Sequence, residues 1–192
     1  MRTGVSQRKT KETAVSVEIN LDQRKEGKIE TGIGFFDHML TLFAFRAGAT
    51  LTVSCKGDLN VGGHHTVEDV GICIGQAINS ALGDKANIKR YGQATIPMDE
   101  SLTSAALDIS GRPFLVFNAQ FLPEYYCGEF EVELTEEFFR AVASNCGMTL
   151  HINLKYGKNT HHMIESIFKS FGCALKEAIK IEGGVTSTKG VI

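Results

Sequence analysis

A five-residue pattern that occurs twice constrains the fold of this chain more than any other feature. HHTVE begins at His64, HHMIE begins 97 residues later at His161, and apolar residues at helical spacing follow each copy. The match continues upstream, because a glycine stands ten residues after His38 and ten residues after Glu137, opening the similar segments GATLTV and GMTLHI. Two blocks with the same order and nearly the same spacing indicate an internal duplication.

The pattern of apolar residues predicts an α+β fold. Alternation over 14–19 and 51–54 predicts half-buried strands, and helical spacing over 66–82 and 163–179 predicts two long helices. We therefore expect two pseudo-equivalent half-domains, residues 1–93 and 94–192, each a small sheet covered by helices, that share one core. The alternative, two unrelated helices with similar apolar spacing, does not require HHxxE twice.

Composition narrows the class of protein and its location. The 192 residues are 43% hydrophobic with a formal net charge of -2, which gives neither a basic surface for nucleic acid nor a polybasic arm for membranes. The five cysteines lack CxxC spacing, which indicates free thiols in a reducing compartment. Because the first residues are polar and no apolar run reaches the roughly 18 residues of a membrane helix, we expect a cytoplasmic protein without nucleic-acid or membrane partners.

The histidines are concentrated in the duplicated motif, since four of the six lie there. On a helix, residues four apart share a face while adjacent residues point about 100° apart, so His64 and Glu68 can converge on one ion while His65 points elsewhere. Adjacent histidines thus suit two metals better than one. Imidazole and carboxylate ligands favour Mn, Fe, Co or Zn.

The repeat also suggests ligands outside HHxxE. In the alignment of the two halves His38 corresponds to Glu137, so both are candidate ligands at pseudo-symmetric points. His151 aligns instead with Thr52 and is expected to have a structural role or to support a ligand indirectly.

Four segments in order along the chain carry a family resemblance: TGIGFFDHML from Thr31, HHTVED from His64, SGRPF from Ser110 and STKG from Ser187. Through them the sequence resembles the imidazoleglycerol-phosphate dehydratase family of histidine biosynthesis. The resemblance implies a fold like the second domain of ribosomal protein S5, two Mn²⁺ ions per active site and a 24-subunit homo-oligomer with active sites at subunit contacts. The implied metal ligands are His38, His64, His65, Glu68, Glu137, His161, His162 and Glu165.

The same resemblance assigns residues to the substrate. Glu12, just before the first long strand, is the implied catalytic, substrate-contacting carboxylate. The implied phosphate ligands are Arg90, Arg112, Lys169, Ser187, Thr188 and Lys189. Lys169 stands eight residues after His161, about two helical turns, and is expected to place its charge at a distance from the metals.

Three positions depart from the family pattern. Glu137 stands where a histidine is common, Arg46 replaces another common histidine, and Gly62-Gly63 replaces an acidic pair. The last change removes a candidate acceptor for an imidazole N–H, so metal affinity is the property it affects most.

The implied reaction removes water from a phosphorylated imidazole diol to give imidazole acetol phosphate. The proton that leaves is on a carbon without a carbonyl neighbour, so we expect the deprotonated ring, favoured by metal on its nitrogens, to expel the hydroxyl first. A diazafulvene-like intermediate results, and its neighbouring C–H is acidic.

Two other functions fit the same ligands. A dimetal phosphoester hydrolase would release phosphate, and a metal-dependent assembly protein would catalyse neither reaction. The dehydratase alone yields an enolisable ketone that keeps its phosphate.

Overall fold

The computed structural model describes residues 1–122 and 125–183. The described residues form ten strands and four helices. In chain order these are β1 (Thr3–Lys9), β2 (Thr13–Asn20), β3 (Ile29–Glu30), α1 (Gly34–Ala47), β4 (Thr50–Gly57), α2 (His64–Leu82), β5 (Tyr91–Met98), β6 (Ser101–Asp108), β7 (Phe114–Asn118), β8 (Tyr126–Cys127), β9 (Phe130–Glu131), α3 (Leu134–Cys146), β10 (Thr149–Tyr156) and α4 (Thr160–Ala178).

Two four-stranded sheets have the same topology, which confirms the predicted α+β fold with two half-domains. Their strand orders are β1-β2-β4-β3 and β5-β6-β10-β7. In each sheet the first three strands pair antiparallel and a short fourth strand joins the edge in parallel. In β2 and β6 alternate residues are buried, as expected where one face of a sheet packs against helices.

Each long helix packs on the shorter helix of the other half, α2 on α3 and α4 on α1. Glycines allow the close approach at equivalent points. A Cβ added at Gly75 would lie 2.7 Å from the carbonyl oxygen of Val142, and one at Gly172 would lie 2.7 Å from that of Phe43. Because Gly75 and Gly172 are 97 residues apart, the same spacing as the motifs, the duplication extends to the helix packing.

The two halves share one hydrophobic core rather than having one each. Phenylalanine rings from opposite halves pack together in it. Phe43 and Phe171 are stacked with centroids 5.1 Å apart, and Phe36 and Phe138 meet edge to face at 5.3 Å. Aromatic pairs at such distances stabilise beyond the area they bury. Helices α1 and α4 are therefore held in a fixed relation, which positions the histidines they carry.

Both HHxxE motifs lie at helix starts, as predicted. Helix α2 begins at His64, and α4 begins one residue before His161, with the Asn159 side chain accepting from the backbone N–H of His162 at 3.2 Å. Within the described ranges, no helix is both long and apolar enough to span a membrane.

Candidate metal centre

Three predicted ligands from opposite halves meet between α1 and α4. His38 lies on α1, while His161 and Glu165 lie one turn apart on α4. The Nε2 atoms of His161 and His38 are 3.2 and 3.7 Å from Oε2 of Glu165. One ligand atom from each of the three residues lies within 4.8 Å of the others. The two halves together therefore build a candidate metal site.

The donors in this cluster fit a divalent transition metal. Two imidazole nitrogens and one carboxylate oxygen are typical ligands of such ions, and three protein ligands leave positions open for substrate. The Glu165 side chain is 8% exposed. Burial alone would raise the pKa of Glu165, but its hydrogen bond to Lys169 and the charge of that lysine outweigh burial and lower it. The carboxylate is thus kept ionised, as metal binding requires.

Lys169 lies against the cluster, and the expectation that its charge is distant from the metals is wrong. Its Nζ is 2.5 Å from Oε1 of Glu165. Lys169 does lie on α4 eight residues after His161. Side chains on a helix lean toward its N-terminus, however, so the long lysine reaches back one turn to Glu165. Its assignment to the phosphate stays a prediction.

The pseudo-symmetric set, carried by α2 and α3, is less closely gathered. Nε2 of His64 is 3.9 Å from Oε2 of Glu68, so these residues share a helix face as predicted. Glu137 lies on α3, the helix packed on α2, and its carboxylate is 3.6 Å from Nε of Arg140. Across residues 1–122 and 125–183, only His38, His161 and Glu165 bring three ligand atoms within 4.8 Å.

The second histidine of each motif points away from the first and contacts carboxylates. Nδ1 of His65 is 3.1 Å from Oδ2 of Asp58, and Nδ1 of His162 is 2.8 Å from Oε2 of Glu100. These hydrogen bonds raise the pKa of His65 and of His162 more than desolvation lowers it. The hydrogen bond with His162 in turn lowers the pKa of Glu100 to about 2.

Glu12 lies beside His65 on a turn that is tied to α2. Its Oε1 is 3.8 Å from Nε2 of His65, and its side chain is 53% exposed. The Thr10 hydroxyl accepts from the backbone N–H groups of Glu12 and Thr13 at 3.1 and 3.0 Å. Buried Asp69 accepts a hydrogen bond from the Thr13 hydroxyl, which fixes this turn to the motif helix.

Arg90 and Arg112 converge on Asp108 at the end of β6. The backbone N–H of Arg90 donates to the carbonyl of Ala178 at 2.8 Å, at the end of α4 opposite to His161. Nε of Arg90 is 2.7 Å from Oδ1 of Asp108, and a terminal nitrogen of Arg112 is 3.9 Å from its Oδ2. The hydrogen bond that the Arg90 guanidinium donates to Asp108 raises the pKa of Arg90. Arg112 is mostly exposed. The predicted phosphate ligands Ser187, Thr188 and Lys189 lie outside the described residues.

The structure shows the surroundings of Arg46, of His151 and of Gly62-Gly63. Arg46 lies in the last turn of α1, with its guanidinium 5.7 Å from the Phe45 ring centroid. His151 is exposed on the face of β10 opposite the buried residues Leu150 and Ile152. Gly62-Gly63 does not leave the second histidine without an acceptor, because Asp58 supplies one.

Sequence reasoning missed Asp58, Asp69, Asp99 and Glu100. The structure matches Glu12 with Glu100, since each directly precedes the second strand of its sheet, but the sequence alignment reaches this match only with a gap, because Glu12 stands 26 residues before His38 and Glu100 stands 37 residues before Glu137. No comparable signal identifies Asp58, which bonds to a residue seven positions later across a turn.

The fold and these clusters define a class: an α+β protein built from two similar halves, with a nitrogen-rich cluster between them that could hold a metal ion. A family model described as Imidazoleglycerol-phosphate dehydratase matches residues 31–175. The chain belongs to the imidazoleglycerol-phosphate dehydratase family, which confirms the resemblance inferred from its motifs.

Relatives match the whole chain, and solved structures match most of it. The proteins named imidazoleglycerol-phosphate dehydratase from Listeria welshimeri and Clostridium kluyveri are each 57% identical to it, with all of both chains covered. The crystal structure of that enzyme from Staphylococcus aureus superposes with a TM-score of 0.84 at 45% identity, covering 93% of this chain and 99% of that one. The crystal structure of the Pyrococcus furiosus protein superposes with a TM-score of 0.86 at 38% identity, covering 97% of this chain and all of that one.

Proposed function

We propose that this protein dehydrates imidazoleglycerol phosphate to imidazole acetol phosphate, a hydro-lyase step of histidine biosynthesis in the cytoplasm. The observation that carries the proposal is the His38–His161–Glu165 cluster, which both halves build in a chain belonging to the dehydratase family. No contact among the described residues favours either of the two alternatives, a phosphoester hydrolase or a metal-dependent assembly protein.

We propose two Mn²⁺ ions per active site. His38, His161 and Glu165 would hold one ion, and His64, Glu68 and Glu137 are the equivalent set for the other. His65 and His162 are the remaining ligand candidates. When bound, such ions stabilise the deprotonated imidazole ring of a substrate.

The reaction then requires one proton to reach the departing hydroxyl and another to leave the neighbouring carbon. The C–O bond next to the ring and the adjacent C–H bond both break, water departs, and the enol relaxes to the ketone. Glu12 is the carboxylate we assign to proton transfer, because its side chain is exposed beside His65 and its turn is anchored to the helix of His65.

Substrate phosphate is assigned to Arg90, Arg112 and Lys169, with Ser187, Thr188 and Lys189. The length of α4 supports a site shared between subunits. Its 19 residues span about 28 Å. The backbone N–H of Arg90 donates to the Ala178 carbonyl at its far end, whereas His161 is at its start. One small substrate cannot reach both within a chain, so we propose active sites at subunit contacts of a 24-subunit assembly.

The division into halves at residues 93 and 94 is also kept as a proposal. It falls within β5. Because the core is shared between the sheets, we expect neither half to fold alone.

The test is product analysis of the Mn²⁺-loaded protein with imidazoleglycerol phosphate. The dehydratase yields the acetol phosphate with no inorganic phosphate released. Released phosphate would instead support a hydrolase, and unchanged substrate would leave only metal binding.

A further inference from the structure

The second histidine of each motif makes the same pair of contacts, using carboxylates from different places. For His65, Nδ1 contacts Asp58 and Nε2 lies 3.8 Å from Glu12. For His162, Nδ1 contacts Glu100 and Nε2 lies 3.9 Å from Asp99. In both halves the Nδ1 contact is the close one.

The Nδ1 acceptors are not equivalent by duplication. Glu100 directly precedes β6 as Glu12 directly precedes β2, so these two glutamates correspond. Yet Glu100 bonds Nδ1 of its histidine, while Glu12 lies on the Nε2 side of the other one. The equivalent glutamates therefore have different tasks.

Asp58 likewise has no acidic counterpart. Asp58 and Lys158 each follow a glycine that packs against the motif helix of its own half, on Thr66 in α2 and on Met163 in α4. The backbone N–H of Lys158 donates to Oε1 of Glu100 at 3.1 Å, so this position supports the acceptor instead of being one. The same hydrogen bond to Nδ1 is thus made by unrelated positions, which duplication alone does not explain.

We propose that Asp58 and Glu100 are positioning residues that hold the proton on Nδ1 of His65 and His162 and leave Nε2 of each ring as the ligand atom. A carboxylate on one ring nitrogen fixes the tautomer and makes the other nitrogen a better metal ligand. Because Asp58 bonds Nδ1 of His65 in the first half, Glu12 does not have this positioning role and is available to contact the substrate. This inference rests on the proposed function for the roles of the histidines and of Glu12.

The test is the imidazole tautomer of each ring in the metal-free protein, read from long-range ¹H–¹⁵N correlation spectra at a pH above the pKa of both rings. His65→Gln and His162→Gln assign the signals. The expected wild-type result is protonated Nδ1 and unprotonated Nε2 in both rings. Protonated Nε2 in either ring would overturn the proposal for that half.

Variants separate the two carboxylates from their neighbours. Asp58→Ala should change the tautomer of His65 only, and Glu100→Ala that of His162 only. Glu12→Gln should leave His65 unchanged, although its counterpart Glu100 controls His162. If Asp58→Ala fails to fold, the tautomers in Glu100→Ala and in the wild-type protein still test the proposal. Unchanged tautomers in the folded alanine variants would contradict the assignment.

Mn²⁺ affinity, measured by competition with a chelator, gives a second result that does not depend on turnover. We expect Asp58→Ala and Glu100→Ala to weaken binding about 10–100-fold, as loss of such carboxylates does elsewhere. Glu18→Ala, which removes a carboxylate from the exposed side of β2, should not. Wild-type affinity in both variants would overturn the positioning role. A wild-type protein without dehydratase activity would refute the proposed function while leaving the tautomer result intact.

Discussion

The ammonium of Lys169 lies 2.5 Å from one carboxylate oxygen of Glu165, while the other oxygen lies 3.2 Å from Nε2 of His161. Both charged side chains are largely buried, at 12% and 8% exposure. The lysine therefore balances a charge that a metal ion would share, so we expect metal binding and protein stability to be linked at this carboxylate.

Replacing Lys169 by Met should destabilise the metal-free protein. Removal of one partner leaves a buried carboxylate without its cation, which costs about 3 kcal/mol of the free energy of unfolding. Denaturant unfolding measures the loss, and added Mn²⁺ should recover part of it by supplying positive charge. Lys28→Met, which breaks an exposed pair with Glu30, is the control and should cost less than about 1 kcal/mol. Equal stability of wild type and Lys169→Met would contradict this account.

Loss of His161 should weaken metal binding with little effect on folding. His161→Ala removes a ligand itself, so the loss of Mn²⁺ affinity should equal or exceed about 100-fold, the upper range for residues that only support ligands. Chelator competition provides the measurement. His151→Ala is the matched control, because that histidine is exposed on the outer face of β10. Similar affinities of the two variants would rule out the cluster as the binding site.

The sequence predicted more of the site than of its surroundings. The period of the apolar residues and the HHxxE repeat located α2 and α4, and the repeat alignment linked His38 to the site without a motif of its own. The sequence could not show that His38 meets Glu165 of the other half, because the packing of α1 on α4 depends on the close approach of Gly172 to the backbone of Phe43. The contact of Lys169 was mispredicted because residue spacing gives no information on where a long side chain reaches.

A methyl group at Gly172 should disturb both packing and metal binding. Ala normally stabilises a helix interior relative to Gly, but here its Cβ would lie 2.7 Å from the Phe43 carbonyl oxygen, so we expect a net loss of about 1–3 kcal/mol. Because α1 carries His38, separation of the helices should also lower Mn²⁺ affinity. Gly34→Ala has open space for its Cβ and should be neutral or slightly stabilising. A stabilised Gly172→Ala protein would disprove the close packing.

Acid should weaken the contact that joins α4 to β5. The backbone N–H of Gln93 and the ammonium of Lys89 lower the pKa of Glu177 below its ordinary value of 4.5. A lowered pKa contributes stability above the ordinary value, and this is lost as the pH falls through the pKa of the folded protein. The advantage of wild type over Glu177→Gln should be up to about 1 kcal/mol near neutral pH and should shrink below pH 4.5. Urea unfolding across this range tests it, and a pH-independent difference would argue against it.

The most direct test of the central claim is turnover of imidazoleglycerol phosphate by metal-stripped protein during titration with Mn²⁺, for wild type, His38→Ala and His161→Ala. We predict no acetol phosphate without metal, its appearance in wild type as Mn²⁺ is added, and a large loss in both variants although the histidines belong to opposite halves. Full turnover without metal, or wild-type turnover in either variant at the same Mn²⁺ concentration, would contradict a metal site built jointly by the two halves.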